Sequence, residues 1–330
     1  MGSAKWQKEG VEYIGPDVYD RAMTDELKTI IDFIRYGASR FAAAGLTFGH
    51  GHDNALDEAT QLVLHALHLP HDLKPAYGAA RLVAEEKKAV LDLFERRIRE
   101  RKPACYLTGE AWFAELLFKC DERALVPRSP IAELIVEAYE PWRNGRPLNR
   151  VLDLCTGGGC IAIASAHYLP DALVDGVDIS PKALSLANEN AERLLVGDRV
   201  RFIESNLFAG LEGEVYDLIV TNPPYVTHAE VDALPDEYRH EPENGLRAGH
   251  DGLDLVLQIL AEAPKHLAED GFLICEVGES ERALVELLPQ VPFNWIEFKV
   301  GQMGIFQVER EDLLTWHIEI EALAAERRAG

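Results

Sequence analysis

The sequence predicts an α/β protein: a doubly wound, mostly parallel sheet of seven strands, preceded by a small helical domain and a β-hairpin linker. Three observations carry this reading. From residue 150 onward, short apolar runs alternate with amphipathic stretches of helical spacing. Residues 24–102 contain only helical patterns. Between the two regions, Pro103 and Gly109 interrupt the helical period, and two aromatic-rich runs flank a short connection.

Residues 1–23 mix charges, Gly and Pro and read as a leader. Leu27, Ile30, Ile31, Ile34 and Phe41 then recur at helical spacing, with Thr24 as the expected N-cap. Gly45 to Asn54 is a turn, Asp57–Leu69 a second helix ended by Pro70, and Leu82–Arg101 a third, highly charged helix. Its expected inward positions are Val83, Val90, Leu91, Phe94 and Ile98. These helices make a small helical domain over 24–102. The hairpin linker, 103–128, pairs Ala111-Trp112-Phe113 with Leu116-Leu117-Phe118. Ser129 and Pro130 open a helix that runs to about Trp142 and starts the third region, 129–330.

Strands follow at Arg150–Leu154, Leu173–Val177, Val200–Glu204, Asp217–Val220 and Gly271–Val277. Helices separate them at Cys160–Tyr168, Pro181–Leu195 and Asp251–Leu267, with another at Ser280–Leu288. Trp295–Lys299 and Gly304–Glu309 read as a closing antiparallel pair, and Asp312–Arg328 as a polar, frayed terminal helix.

Composition narrows the function. The net charge of −23 is uneven: residues 129–330 carry 15 Lys+Arg against 36 Asp+Glu, whereas residues 1–128 carry 18 against 20. Such an acidic domain is a poor match for nucleic acid, whose binding relies on Lys and Arg neutralising phosphates. It suits a cationic cofactor or a basic protein partner. No apolar run approaches a membrane span, and Met1–Trp6 lacks a signal-peptide core. Five cysteines, an odd number without C-x-x-C spacing, indicate reduced thiols and a cytoplasmic location. His50, His52, His65, His68 and His71 cluster in the helical region, but no Cys or carboxylate joins them at ligand spacing. They read as solvated helix-end and loop residues, and no metal site is expected.

The chemistry gathers at strand ends. The first strand ends in Asp153-Leu154-Cys155-Thr156-Gly157-Gly158-Gly159, a turn whose glycines allow close backbone approach to a ligand. Such a turn serves NAD, FAD or S-adenosylmethionine equally. Asp178, closing the second strand, can accept both hydroxyls of a ribose. Three consecutive glycines depart from the G-x-G-x-x-G dinucleotide pattern. Asp153 would repel a pyrophosphate but can hold the ammonium of a methionine moiety, directly or through water. These features favour S-adenosylmethionine. The third strand leads into Asn206-Leu207, where the Asn206 amide oxygen can accept from an adenine amino group. After the fourth strand comes Thr221-Asn222-Pro223-Pro224-Tyr225. Two prolines stiffen this loop and remove two donors. Asn222 offers an amide and Tyr225 a flat ring with a polar tip, a clamp for a planar group that bears N–H donors.

The Gly turn and the Asn222–Tyr225 motif together resemble the class I S-adenosylmethionine-dependent methyltransferases. The order of helical domain, hairpin and sheet is similar to their protein-glutamine methyltransferase family, over residues 24–310. Three segments are similar to the ribosomal rather than the release-factor branch: Tyr106–Phe113, Leu125–Ile131, and Arg239-His240-Glu241-Pro242. The resemblance implies methylation of a glutamine in large-subunit ribosomal protein L three. It makes Asn222, Pro223, Pro224 and Tyr225 catalytic. Asp153, Cys155, Thr156, Gly157, Gly158, Gly159, Asp178, Asn206, Leu207 and Asn222 would bind the cofactor. The family usually has Asp where this chain has Asn206, but Asn keeps the accepting oxygen. Competing readings are a release-factor enzyme, a nucleic-acid adenine methyltransferase, a non-catalytic assembly module and, on the glycine turn alone, a dinucleotide enzyme.

Overall fold

The computed structural model describes residues 24–245, 249, 251–298 and 301–329. The expected leader lies outside the described residues. Packing divides the chain into two compact units. One extends to Gly45 and resumes over Ala55–Glu95; the other comprises Leu46–Asn54 and Arg96–Gly330.

In the first unit, α1 (Ile30–Ala43) and α2 (Ala55–Ala66) pack together, followed by a 3-10 turn at Pro75–Ala79 and by α3 (Ala84–Glu100), within which the division falls. Helix α1 starts five residues later than expected. Thr29, not Thr24, is its N-cap, because Asp32 lies three residues on and completes a reciprocal capping box. Phe33, Phe41, Leu62, Val63, Val90 and Phe94 form the fully buried centre. Each contributes roughly 1.5–3 kcal/mol through burial. Phe41 meets Phe94 edge to face at 5.2 Å. Val83, expected to point inward, is exposed, and so is Ile31.

The second unit begins its regular structure with α4 (Ala104–Thr108), a short helix absent from the sequence reading. The hairpin follows as expected: β1 (Glu110–Phe113) and β2 (Leu116–Lys119) are antiparallel, with Trp112 opposite Leu117. Helix α5 (Ile131–Val136) stops short of Trp142. The chain turns left-handed at Ala138 and Tyr139, and Pro141 then bars helical continuation. The alternating region then runs β3 (Arg150–Leu154), α6 (Cys160–Tyr168), β4 (Leu173–Asp178), α7 (Pro181–Arg193), β5 (Val200–Glu204), β6 (Tyr216–Thr221), α8 (His228–Ala233), α9 (Asp254–His266), β7 (Leu267–Glu276), α10 (Glu281–Leu287), β8 (Asn294–Phe298) and β9 (Gly301–Glu309). Two helices close the chain, α11 (Arg310–Thr315) and α12 (His317–Ala329).

The seven strands lie in the order β5-β4-β3-β6-β7-β9-β8. All pairs are parallel except the two made by β9. Strand residues alternate between two apolar layers: Val151, Val174 and Val220 pack on one face, Leu152, Ile219 and Leu273 on the other. The C-terminal region is not the frayed helix expected. It breaks at Trp316 and buries Leu313, Ile320 and Ala324 completely, and Arg327 pairs with Asp251 and Asp254.

Candidate active site

Strand order reverses between β3 and β6, and open parallel sheets bind ligands at the carboxyl ends of strands flanking such a reversal. In register, Asp153 lies beside Val220 and Leu154 beside Thr221. The Thr221 hydroxyl donates to the Leu154 carbonyl at 2.8 Å. The glycine turn and the Asn222 loop therefore leave the sheet side by side.

Asp153 is fully buried. Its Oδ2 accepts from the Thr156 hydroxyl at 2.5 Å and from the Ala162 N–H at 3.0 Å. Its Oδ1 is buried without a partner. Burial pushes the carboxyl up to about 7, against the pull of the Thr156 and Ala162 hydrogen bonds. An unpaired buried acceptor costs free energy until a donor meets it. Around it, Cys155 and Gly157 take left-handed backbone angles. Gly159, at φ +81°, cannot be replaced without strain: a Cβ there would lie 2.9 Å from Ala187 and Phe202.

The neighbouring strand ends are tied into the same turn. The Gly157 N–H donates to Asp178 Oδ2 at 2.9 Å, and the Ser180 N–H to Oδ1 at 2.8 Å. Each oxygen keeps a further lone pair for a hydroxyl. Burial raises the Asp178 carboxyl as well, opposed by these backbone donors. Ser205 donates its N–H to the Asp178 carbonyl at 3.0 Å, which fixes the entry to Asn206 and Leu207. Asn206 is exposed; Leu207 is buried with φ +50°. Thus Asp153, Thr156, the three glycines, Asp178 and the Asn206 segment, expected from scattered motifs, meet along three adjacent strand ends.

On the other side of the reversal, Pro223 is buried and Asn222 half-buried. The Tyr225 hydroxyl donates to Glu276 Oε1 at 2.8 Å, and Ser129 donates to Glu276 Oε2 at 2.5 Å. Glu276 ends β7 and is itself buried; burial raises its carboxyl while the two hydroxyls and Arg128 oppose that shift. Gly278, at φ +49°, lets the Tyr225 ring lie close: a Cβ there would stand 2.6 Å from Cε2. Neither Glu276 nor this use of Ser129 was visible in the sequence, where Ser129 reads only as a helix cap.

A second network was missed. Arg128 grips Glu241 with both nitrogens, at 2.6 and 3.0 Å, and the Val126 N–H adds a third bond at 3.1 Å. Burial opposes ionisation of Glu241, but His50 and Arg128 outweigh it and hold the carboxyl down at about 2. His50 is not solvated as expected: it is 2% exposed, 3.6 Å from Glu241, with its ring against Tyr238. Of the other four histidines, His68 and His71 are exposed, whereas His52 and His65 are half-buried. Among the described residues no group of His, Cys, Asp and Glu is placed to hold a metal. Beside Tyr225 and Glu276 opens a cavity of about 740 Å³, rimmed by Glu279, Glu281, Glu286 and Arg282.

Residues 133–237 match the family model described as a methyltransferase small domain. The chain is 68% identical over 306 residues to the ribosomal protein uL3 glutamine methyltransferase of Xanthomonas campestris pv. campestris, covering 93% of this chain and 99% of that one. The protein of the same name from Xylella fastidiosa is also 68% identical, over 93% of this chain and 98% of its own. That of Francisella tularensis is 45% identical over 88% and 93%. The chain belongs to the uL3 glutamine methyltransferase family. The methyl donor of this family fold is S-adenosylmethionine, and the site fits it: an unpaired buried carboxylate oxygen at Asp153, left-handed glycines, and acceptors on Asp178. Among the described residues, no helix is long and apolar enough to cross a membrane.

Proposed function

We propose that this chain methylates the side-chain amide nitrogen of a glutamine in ribosomal protein uL3, the L three protein of the large subunit. The observation that carries this reading is the placement of Asn222 one strand away from the Asp153–Gly159 turn, on a loop stiffened by two prolines. When bound, S-adenosylmethionine supplies a methyl group on a sulfonium. Asp153 holds its ammonium, Asp178 its ribose and the Asn206–Leu207 segment its adenine, with Cys155, Thr156 and the glycines shaping the turn.

A glutamine amide nitrogen is a poor nucleophile because its lone pair is delocalised into the carbonyl. Its two N–H groups are good donors. Asn222 Oδ1 accepts one and the Pro223 carbonyl the other, which orients the nitrogen and stabilises the positive charge that develops on it. Pro224 keeps the loop rigid. No strong base is needed, since the product loses its proton to water.

The target reading rests on chemistry as well as kinship. A unit with 36 acidic against 15 basic residues over 129–330 attracts a basic ribosomal protein and repels nucleic acid. The carboxylates around the 740 Å³ cavity lie where a basic substrate segment would flank its glutamine. We assign target recognition to the helical unit, and the site of action to the cytoplasm, in keeping with five free thiols. Mass spectrometry of large-subunit proteins from a deletion strain tests the whole reading. The expected result is one methyl group missing from a uL3 glutamine, restored by the wild-type gene. An unchanged uL3 mass overturns it.

A further inference from the structure

We propose that Glu276 is a positioning residue for methyl transfer, acting through Tyr225 on the placement of Asn222. This rests on the reading above, and goes beyond it by assigning a role to a carboxylate outside the motif.

The geometry is specific. Glu276 stands at the end of β7, the neighbour of β6 in the sheet, with Thr221 opposite Cys275 in the ladder. Its side chain is almost wholly buried, and each carboxylate oxygen takes one hydroxyl, from Tyr225 and from Ser129. Ser129 Oγ in turn accepts from the Ile131 N–H at 3.2 Å, at the start of α5. A chain of hydrogen bonds therefore runs from a helix start through Ser129 and Glu276 to the Tyr225 ring. The ring is pinned twice, by its hydroxyl and by its close approach to the Gly278 backbone.

Pro223 and Pro224 supply no N–H to bind the loop to the sheet. At the Asn222 end, Thr221 ties the loop to β3. At the Tyr225 end, Glu276 ties it to β7. With both ends held, the amide of Asn222 between them is presented in one position. A carboxylate is the right group for the second tie. It accepts two hydroxyls without presenting a competing donor to either, whereas an amide in its place can only offer an N–H to one of them. Desolvation makes such bonds costly to lose.

The test compares Glu276→Gln, Tyr225→Phe and the double variant in the full-length protein. Three quantities are read: kcat and KM for uL3, cofactor Kd, and hydrogen–deuterium exchange of the 221–226 segment. Each single change is expected to lower kcat about tenfold, the loss of roughly one buried hydrogen bond, with both binding constants within about twofold of wild type. The double variant should be no worse than the poorer single one, because both changes cut the same bond. Exchange in 221–226 should rise in all three. Effects on kcat that multiply, or a folded Glu276→Gln protein with wild-type kcat and unaltered exchange, overturn the proposal. Should Glu276→Gln fail to fold, Tyr225→Phe cuts the same bond from its partly exposed end and decides alone. If wild-type protein leaves uL3 unmodified, the function reading fails instead. The exchange measurement still decides whether Glu276 holds the loop.

Discussion

The two sides of the sheet reversal are built differently. At the heart of the cofactor side the wiring is local: Asp153 bonds Thr156 and Ala162, three and nine residues away, and the Gly157–Asp178 bond reaches 21 residues on. The Asn222 side is wired at long range: Tyr225 reaches Glu276, 51 residues on, and Glu276 reaches Ser129, 147 residues back. A local network forms with its own turn and tunes one carboxylate. A long-range network exists only when the whole sheet is assembled, so the chemistry of the clamp is conditional on correct folding of both β7 and the segment leading into α5. The cofactor turn and the clamp thus fail in different ways when damaged.

Asn222→Ala should separate the two sides most sharply. Loss of the acceptor is expected to lower methylation of uL3 at least about a hundredfold, the scale of removing one transition-state hydrogen-bond partner. Cofactor affinity, measured by calorimetry, should stay within about threefold. A variant that keeps more than about a tenth of wild-type activity breaks the clamp model, since losing a single such acceptor should cost more.

The cofactor side should answer to pH. With its folded value raised from 3.8 to about 7, Asp153 is neutral in the ligand-free protein below that point. Because the folded value lies above the unfolded one, stability from the neutral form is full below pH about 4 and is lost as pH rises through 7. A cation prefers the ionised carboxylate, so cofactor affinity should strengthen from pH 6 to pH 8, by up to about tenfold. Asp153→Asn should flatten both trends. Calorimetric titrations and thermal melts across that range check this; an equal slope in the variant removes Asp153 from the account.

The smallest expected effect lies at the rim of the Tyr225 side. Glu279→Lys should raise KM for uL3 about two- to threefold at low salt, and the difference should fade above about 0.3 M as exposed charges are screened. Steady-state kinetics at two ionic strengths would expose a salt-independent change, which would mean contact rather than attraction.

The same contrast explains what could be read beforehand. The βα alternation, the hairpin and every strand were legible, because each shows its own period in a few consecutive residues. The residues to which we assign the cofactor stand out in the sequence for the same reason: they sit at strand ends beside glycines. Glu276 does not, since a lone Glu after a buried strand carries no signal of the tyrosine that will meet it. Arg97 was hidden too. It reads as one more charge on a polar helix, yet it is fully buried, bonded to the Thr47 carbonyl at 3.0 Å and 3.6 Å from Glu237. The early end of α5 was missed because α-helical spacing persists through Tyr139 while the backbone has already turned. His50 was misread because the partner that buries it lies 191 residues away.

The β3–β6 ladder has one more consequence. Leu154 and Thr221 are neighbouring rungs, so the turn to which we assign the methyl donor and the loop to which we assign its acceptor leave the sheet a single inter-strand step apart, about 4.8 Å. That interval is set by backbone pairing that no surface substitution alters. It works as a fixed gauge. Loops and rims can drift to suit another target protein while the roots of the two loops keep the same separation.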